Sequence, residues 1–148
     1  MCSSDLSTAP APLGLFGGSF DPIHDAHLAL AHAALKELAL DEVRFVPSGM
    51  PGHREATRVN AEHRLSMLRI AIEHEPRFTI DASELAQKEP TYSIATLQRI
   101  RQEVGMQRPL VFLIGADQLM AFDTWREWQR LFDLAHFAAA RQIGRAHV

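Results

Sequence analysis

Cysteine is nearly absent. Cys2 is the single one among 148 residues, so no disulfide can form within the chain, a usage that fits the cytoplasm. Long apolar runs are lacking too. The longest, such as Leu110–Ile114, fall far short of the roughly 20 residues a helix needs to cross a bilayer, so no membrane role is expected. No excess of positive charge is present: 15 Lys and Arg against 18 Asp and Glu give −3, which argues against a nucleic-acid-coating role. The start, Met1–Pro12, has neither the basic opening nor the apolar stretch of a signal peptide and reads as a loose leader. No internal repeat is visible, and no low-complexity segment lies beyond that leader.

What remains is 47% hydrophobic and 22% charged, the composition of one soluble globular domain. A chain of this length buries roughly 68–70% of the surface its unfolded form exposes. Leu13–Gly17 reads as a buried strand ending in a Gly17-Gly18 turn. Leu28, Ala31, Leu35 and Leu38 then mark one face of a helix over residues 25–40. Val43–Val46 is a second strand, stopped by Pro47, and residues 47–59 read as a loop. Asn60 caps a helix over 61–74 with Leu65, Leu68 and Ile72 inward. Phe78–Ile80 is a third strand. Ser93 caps a helix through Val104, with Gly105 as its stop. Leu110–Ile114 suits the centre of a parallel sheet. Asp123 caps a short helix carrying Trp125, Trp128 and Leu131, and His136–Ala140 is a fifth strand. This alternation predicts an α/β, Rossmann-like doubly wound parallel sheet of about five strands with helices on both faces. Ligands in such folds sit at the carboxyl ends of the strands.

The segment after the first strand is Gly17-Gly18-Ser19-Phe20-Asp21-Pro22-Ile23-His24-Asp25-Ala26-His27. Glycines let backbone approach an anion, and a helix start offers unpaired N–H groups. His24 and His27, three apart at that start, point the same way and suit charge stabilisation in phosphoryl or nucleotidyl transfer. The competing readings are a plain turn, two surface histidines, or a zinc pair. Zinc needs further ligands, and neither Asp21 nor His32 is clearly placed to supply one.

The stretch resembles the signature of the nucleotidyltransferase superfamily with a His-x-x-His pair, Gly-Gly-[Ser/Thr]-Phe-Asp-Pro-x-His-x-Gly-His. Ten of its eleven positions match in kind, the departure being Ala26 in place of Gly. Other segments resemble the nicotinate-nucleotide adenylyltransferases within that superfamily. Val46-Pro47-Ser48-Gly49-Met50-Pro51-Gly52-His53-Arg54 is similar to their Pro-x-x-x-Pro-Pro-His-Lys loop. Arg64-Leu65-Ser66-Met67 is similar to their Arg-x-x-Met helix, and Asp81-Ala82-Ser83-Glu84 with Pro90–Leu97 to their Asp-x-x-Glu … Ser-Tyr-Thr-x-x-Thr-Leu segment. Ile114-Gly115-Ala116-Asp117 and Trp125-x-x-Trp128 complete the match, which covers residues 13–141.

The resemblance implies adenylyl transfer from ATP to nicotinate mononucleotide, in NAD biosynthesis. It places Gly17, Gly18, Ser19, Phe20, His24, His27, Gly115 and Asp117 at ATP, with His24 and His27 catalytic. It places Ser19, His53, Arg54, Tyr92, Ser93 and Trp125 at the mononucleotide. Mg²⁺ would be held mainly by ATP phosphates, with no dedicated protein metal site. Several assignments have a plainer counterpart: His53 and Arg54 as solvated loop charges, Ser93 as an N-cap only, Asp117 as an N-cap; Trp128 and Leu131 are read as core. Sister enzymes acting on phosphopantetheine or nicotinamide mononucleotide, or a nucleotide-binding fragment without turnover, remain alternatives. Oligomeric state, a homo-oligomer included, is left open.

The family's pattern continues past the fifth strand with an Ile-Ser-Ser-Thr-x-Ile-Arg-like segment that has no counterpart here. Residues 143–148, Ile-Gly-Arg-Ala-His-Val, back-translate to ATC GGA AGA GCA CAC GTC, which reads like sequencing-adapter sequence. The expectation is a domain over 13–142, incomplete at its end, followed by a non-native tail at 143–148. A chain so shortened would be weakly active and prone to associate through exposed apolar surface.

Overall fold

Two strands with apolar side chains on both faces form the centre of the fold: β1 (Leu13–Gly18) and β4 (Leu110–Ile114), paired in parallel with Leu13 opposite Leu110 and Phe16 opposite Leu113. The computed structural model describes residues 11–49, 60–87, 89, 91–142 and 145–147. Outward from β1 lie β2 (Glu42–Pro47) and β3 (Phe78–Ile80), and outward from β4 lies β5 (His136–Gln142), all parallel. A three-residue β6 (Arg145–His147), inside the segment read as foreign, pairs antiparallel with β5. The order is β3-β2-β1-β4-β5-β6.

The connections wind both ways from the centre, so helices cover both faces. On one face, α1 (Asp25–Glu37) contributes Leu30, Ala31, Ala34 and Leu35, and α2 (Ala61–Ile72) contributes Leu68 and Ile72, against Phe16, Val43, Phe45, Val111 and Leu113. On the other, α3 (Ser93–Val104) brings Ile94, Leu97 and Ile100 onto Leu13, Leu15, Leu110, Phe112 and Ile114. Two short helices, α4 (Ala116–Met120) and α5 (Trp128–Leu134), join that second layer, with Leu131 fully buried. Alternate residues of β1 and β4 serve opposite cores, which is why both strands read as continuous apolar runs.

Several local expectations hold. Asn60 Oδ1 accepts from His63 N at 2.8 Å, and Gly105, at φ 86°, ends α3 in a conformation that favours glycine. Three need correction. Ser93 is the first helical residue, not the cap; Tyr92 holds the cap position, with no side-chain cap bond. Asp123 lies inside a 3₁₀ turn, Phe122–Thr124, and α5 starts only at Trp128, behind Glu127 in left-handed backbone at φ 52°. The inward stripe of α2 runs Arg64, Leu68, Ile72, so Arg64 replaces Leu65 as its first member.

Candidate active site

The winding reverses between β1 and β4, leaving a crevice at their carboxyl ends, the usual ligand position in such sheets. Gly17 and Gly18 end β1 on one side, and Gly115 follows β4 on the other. A Cβ added to Gly115 would meet nothing within 4 Å, so the space there is open.

After Gly18 the chain turns through Ser19 and Phe20. Phe20 has φ 45°, left-handed backbone that costs a non-glycine residue about 1 kcal/mol or more. The surrounding rings hold it. Phe20 is 3% exposed, with ring centroids 5.3 Å from Phe16, 5.6 Å from Phe45 and 5.1 Å from His27. Its ring therefore belongs to the core under the turn, and only its backbone faces the crevice side. A cis Asp21–Pro22 bond follows, and α1 begins at Asp25.

The two histidines cap that helix together. His24 Nδ1 accepts from Ala26 N at 3.2 Å, and His27 Nδ1 accepts from His24 N at 3.1 Å. Their rings stack at 3.9 Å between centroids. With Nδ1 accepting in each ring, a ring proton sits on Nε2, which becomes a donor. Burial, and the neighbouring His24, push His27 down to about 4, so it is neutral at pH 7.

Arg64 links this turn to the next. It is 1% exposed, and its Nη1 donates to Ser19 O at 2.6 Å and Ser48 O at 2.8 Å. Ser48 N also donates to Gly18 O at 2.9 Å. Gly49 then passes so close to the 3₁₀ turn Ser83–Ala86 that an added Cβ would lie 2.4 Å from Glu84 O. Glu84, itself 6% exposed, accepts from Thr96 Oγ1 at 2.5 Å and Arg99 Nη2 at 3.2 Å. Desolvation raises the Glu84 carboxyl despite these bonds. Arg99 Nη1 also donates to Asp81 Oδ2 at 2.7 Å.

Thr96 is in the first turn of α3, so the chain of contacts reaches Tyr92 and Ser93 at its start. The Arg126 guanidinium lies 3.9 Å from the Tyr92 ring centroid, a cation–π contact. Trp125, half-buried beside it, packs on Phe122 at 5.0 Å.

The sequence-predicted residues thus fall into two groups. Gly17, Gly18, Ser19, His24 and His27 share the end of β1 and the start of α1; Gly115 opens the facing lip, and the backbone of Asp117 lies in the first turn of α4, not at its cap. Tyr92, Ser93 and Trp125 border the start of α3. His53 and Arg54 lie outside the described residues. The sequence singles out Arg64, Glu84 and Thr96 only as motif positions, without a role, and does not single out Arg126. Arg64 had a readable signal, since it leads an i, i+4, i+8 stripe whose other members are Leu68 and Ile72.

A groove of about 630 Å³ lies elsewhere, between Arg44, Asp81, Ser83, Arg99 and Glu103. Its charges answer one another, with Arg44 on Glu103 at 2.8 Å and Arg99 on Asp81 at 2.7 Å. Among the described residues, no group of three or more His, Cys, Asp or Glu could hold a metal ion, and no helix is long and apolar enough to cross a membrane.

Residues 15–145 match the cytidylyltransferase-like family. The chain is 44% identical over 133 residues to the "Probable nicotinate-nucleotide adenylyltransferase" of Dechloromonas aromatica, covering 90% of this chain and 61% of that protein. It is 45% identical over 135 residues to the protein of the same name from Chromobacterium violaceum, covering 90% and 64%. The chain therefore spans about three-fifths of the length of these curated relatives. Among solved structures, the Plasmodium falciparum nicotinic acid mononucleotide adenylyltransferase complexed with NaAD shares the fold, with a TM-score of 0.73 at 20% identity, over 90% of this chain and 66% of that one.

Proposed function

The chain belongs to the cytidylyltransferase-like family, and from that premise we propose that it carries the adenylyl-transfer site of a nicotinate-nucleotide adenylyltransferase. The observation that carries this reading is the paired cap at the crevice, where His24 and His27 each spend Nδ1 on the backbone and keep Nε2–H for an anion. A phosphate oxygen of nicotinate mononucleotide attacks the α-phosphorus of ATP; the new P–O bond forms as the bond to the β-phosphate breaks, and pyrophosphate leaves with the charge. The attacking oxygen is already anionic, so no strong base is needed. The chain's work is to position two anions and to answer charge at the reacting phosphorus. Gly17, Gly18, Ser19 and the Phe20 backbone line the phosphate side, with Gly115 and Asp117 on the opposite lip for the nucleoside.

The mononucleotide lies against Ser19 and the start of α3. Tyr92 and Ser93 offer that helix's N–H groups to the carboxylate, Trp125 offers a flat face to the pyridine, and Arg126 adds a cation to the same corner. His53 and Arg54 are assigned to the mononucleotide phosphate from the sequence resemblance. The described residues supply no cage for a divalent ion. Mg²⁺ would ride on the triphosphate and water and screen its charge, with no step of this chain routed through it.

The test is pyrophosphate release from ATP with nicotinate mononucleotide, nicotinamide mononucleotide and phosphopantetheine in parallel. Nicotinate mononucleotide is expected to be preferred, and His27→Ala to lose about 10²–10³-fold in turnover while keeping its circular dichroism. Retention of most activity in that variant would remove the role given to His27. Because the chain spans about three-fifths of its relatives, a second reading is a domain that binds ATP without turnover. Calorimetric ATP binding with no pyrophosphate release would select it.

A further inference from the structure

Arg64 tops the fully buried side chains by size, ahead of every apolar residue of the core. A buried guanidinium must answer something specific, because taking its charge out of water costs several kcal/mol by order of magnitude. Here it answers two peptide carbonyls. One nitrogen, Nη1, holds Ser19 O at 2.6 Å and Ser48 O at 2.8 Å, which fixes the turn after β1 against the turn after β2. Burial pushes the Arg64 guanidinium below its ordinary value, and the Asp21 carboxylate, on the same turn, partly offsets this.

The geometry of the peptide unit gives this a consequence. In a trans peptide the C=O of one residue and the N–H of the next point in opposite directions. With Ser19 C=O turned inward onto Arg64, the Phe20 N–H is turned outward; with Ser48 C=O turned inward, so is the Gly49 N–H. Neither N–H has a hydrogen-bond acceptor among the described residues. A cation on the carbonyl side also polarises each unit and makes its N–H a better donor.

We infer that Arg64 is a positioning residue for the transfer step: by gripping the Ser19 and Ser48 carbonyls from below, it aims the Phe20 and Gly49 N–H groups at phosphate oxygens bound above the two turns. This rests on the proposed adenylyl transfer for its kinetic part, but the aiming of two anion donors stands on the geometry alone. Arginine suits the task because a planar guanidinium serves carbonyls in fixed directions, whereas a lysine ammonium is a mobile point charge on a shorter reach.

The experiment compares the full chain with Arg64→Lys and Arg64→Gln, each checked for folding by circular dichroism and urea unfolding. Carbonyl ¹³C shifts of Ser19 and Ser48 are expected to move in both variants, since they report the lost charged bonds. Calorimetric affinity for inorganic pyrophosphate should fall about tenfold. In pyrophosphate-release kinetics, kcat should fall about 10²-fold with KM for ATP raised by less than about fivefold, the pattern of misaimed rather than missing groups. Arg64→Lys should recover more of the wild-type stability than of the wild-type kcat, which a purely structural residue would not show.

A folded variant with wild-type pyrophosphate affinity and kcat overturns the inference, as does a wild-type chain that binds no pyrophosphate. A wild-type chain that binds pyrophosphate, loses that binding on Arg64→Lys, yet transfers no adenylyl group upholds the aiming role and overturns the functional reading instead. If Arg64→Lys does not fold, Arg64→Gln, which keeps one uncharged donor group, carries the same comparison.

Discussion

His27 offers a test that needs no substrate. Its ring is held neutral by partial burial and by His24, which moves its titration from 6.5 to about 4. At about 1.4 kcal/mol per pH unit, that displacement sets a ceiling of ~3 kcal/mol on the linked stability. The ring is only half-buried, so solvent screening reduces the expected effect to ~1–2 kcal/mol. In the unfolded chain His27 takes a proton as pH falls below 6.5, whereas in the folded chain it does so only near 4. The unfolded state thus binds more protons throughout that window. Stability falls as pH drops from 6.5 to 4, is unaffected by this group above the window, and has lost the whole contribution below it. Urea unfolding of wild type and His27→Gln at pH 7, 5.5 and 4 isolates the term, because all other groups titrate in both proteins. The gap between the two is expected to shift by ~1–2 kcal/mol against wild type on acidification. Parallel curves, or an NMR titration placing the His27 ring near 6.5, would refute the reasoning. Saturation with pyrophosphate should move the titration upward, since an anion at Nε2 favours the charged ring.

Two further outcomes follow from the supports of the site. Thr96→Val removes the 2.5 Å bond to Glu84 and leaves a buried carboxyl short of a donor; a loss of about 1–3 kcal/mol is expected in denaturant unfolding, and unchanged stability would mean that Glu84 is satisfied otherwise. Gly49→Ala drives a methyl to within 2.4 Å of Glu84 O, where backbone must give way; a cost of about 1–3 kcal/mol and weaker mononucleotide binding are expected, and a neutral substitution would show that the two loops are not in contact in solution.

The sheet was readable because its strands are apolar on both faces and short. Leu110–Ile114 admits no other reading in a chain that alternates this way, and each strand was found within two residues of its expected bounds. Helix starts were less readable. Ser93 is a good cap by type, yet the chain enters α3 one residue earlier, at Tyr92, so the hydroxyl preference lost to the path of the backbone. Around Trp125 the aromatic spacing suggested a helix, but packing on Phe122 and Phe112 ends the 3₁₀ turn first, and the helix waits for Trp128. The candidate site after β1 was legible as a motif, because its glycine turn and two histidines lie close together in sequence. Their supports were legible only as motif positions, not in what they hold. Arg64, Glu84 and Thr96 act on partners 45, 12 or 16 positions away, and nothing local marks a carbonyl that needs holding.

The pairing of β1 with β4 also sets an order of events. Leu13 meets Leu110 only after nearly a hundred residues of chain have been made, whereas β1, β2 and β3 are complete by Ile80. On a ribosome the β1–β2–β3 half, with α1 and α2, can dock while the rest is still unmade, since domains form from the N-terminal side as they are synthesised. The lip carrying Gly115 arrives after that half, and closing so long a loop is among the slower steps for a parallel sheet. Until then the Gly17-Gly18 turn has one wall and no crevice. A nascent chain arrested before β4 should therefore hold its first three strands yet show no nucleotide affinity, so the capacity to bind appears abruptly with the central strand.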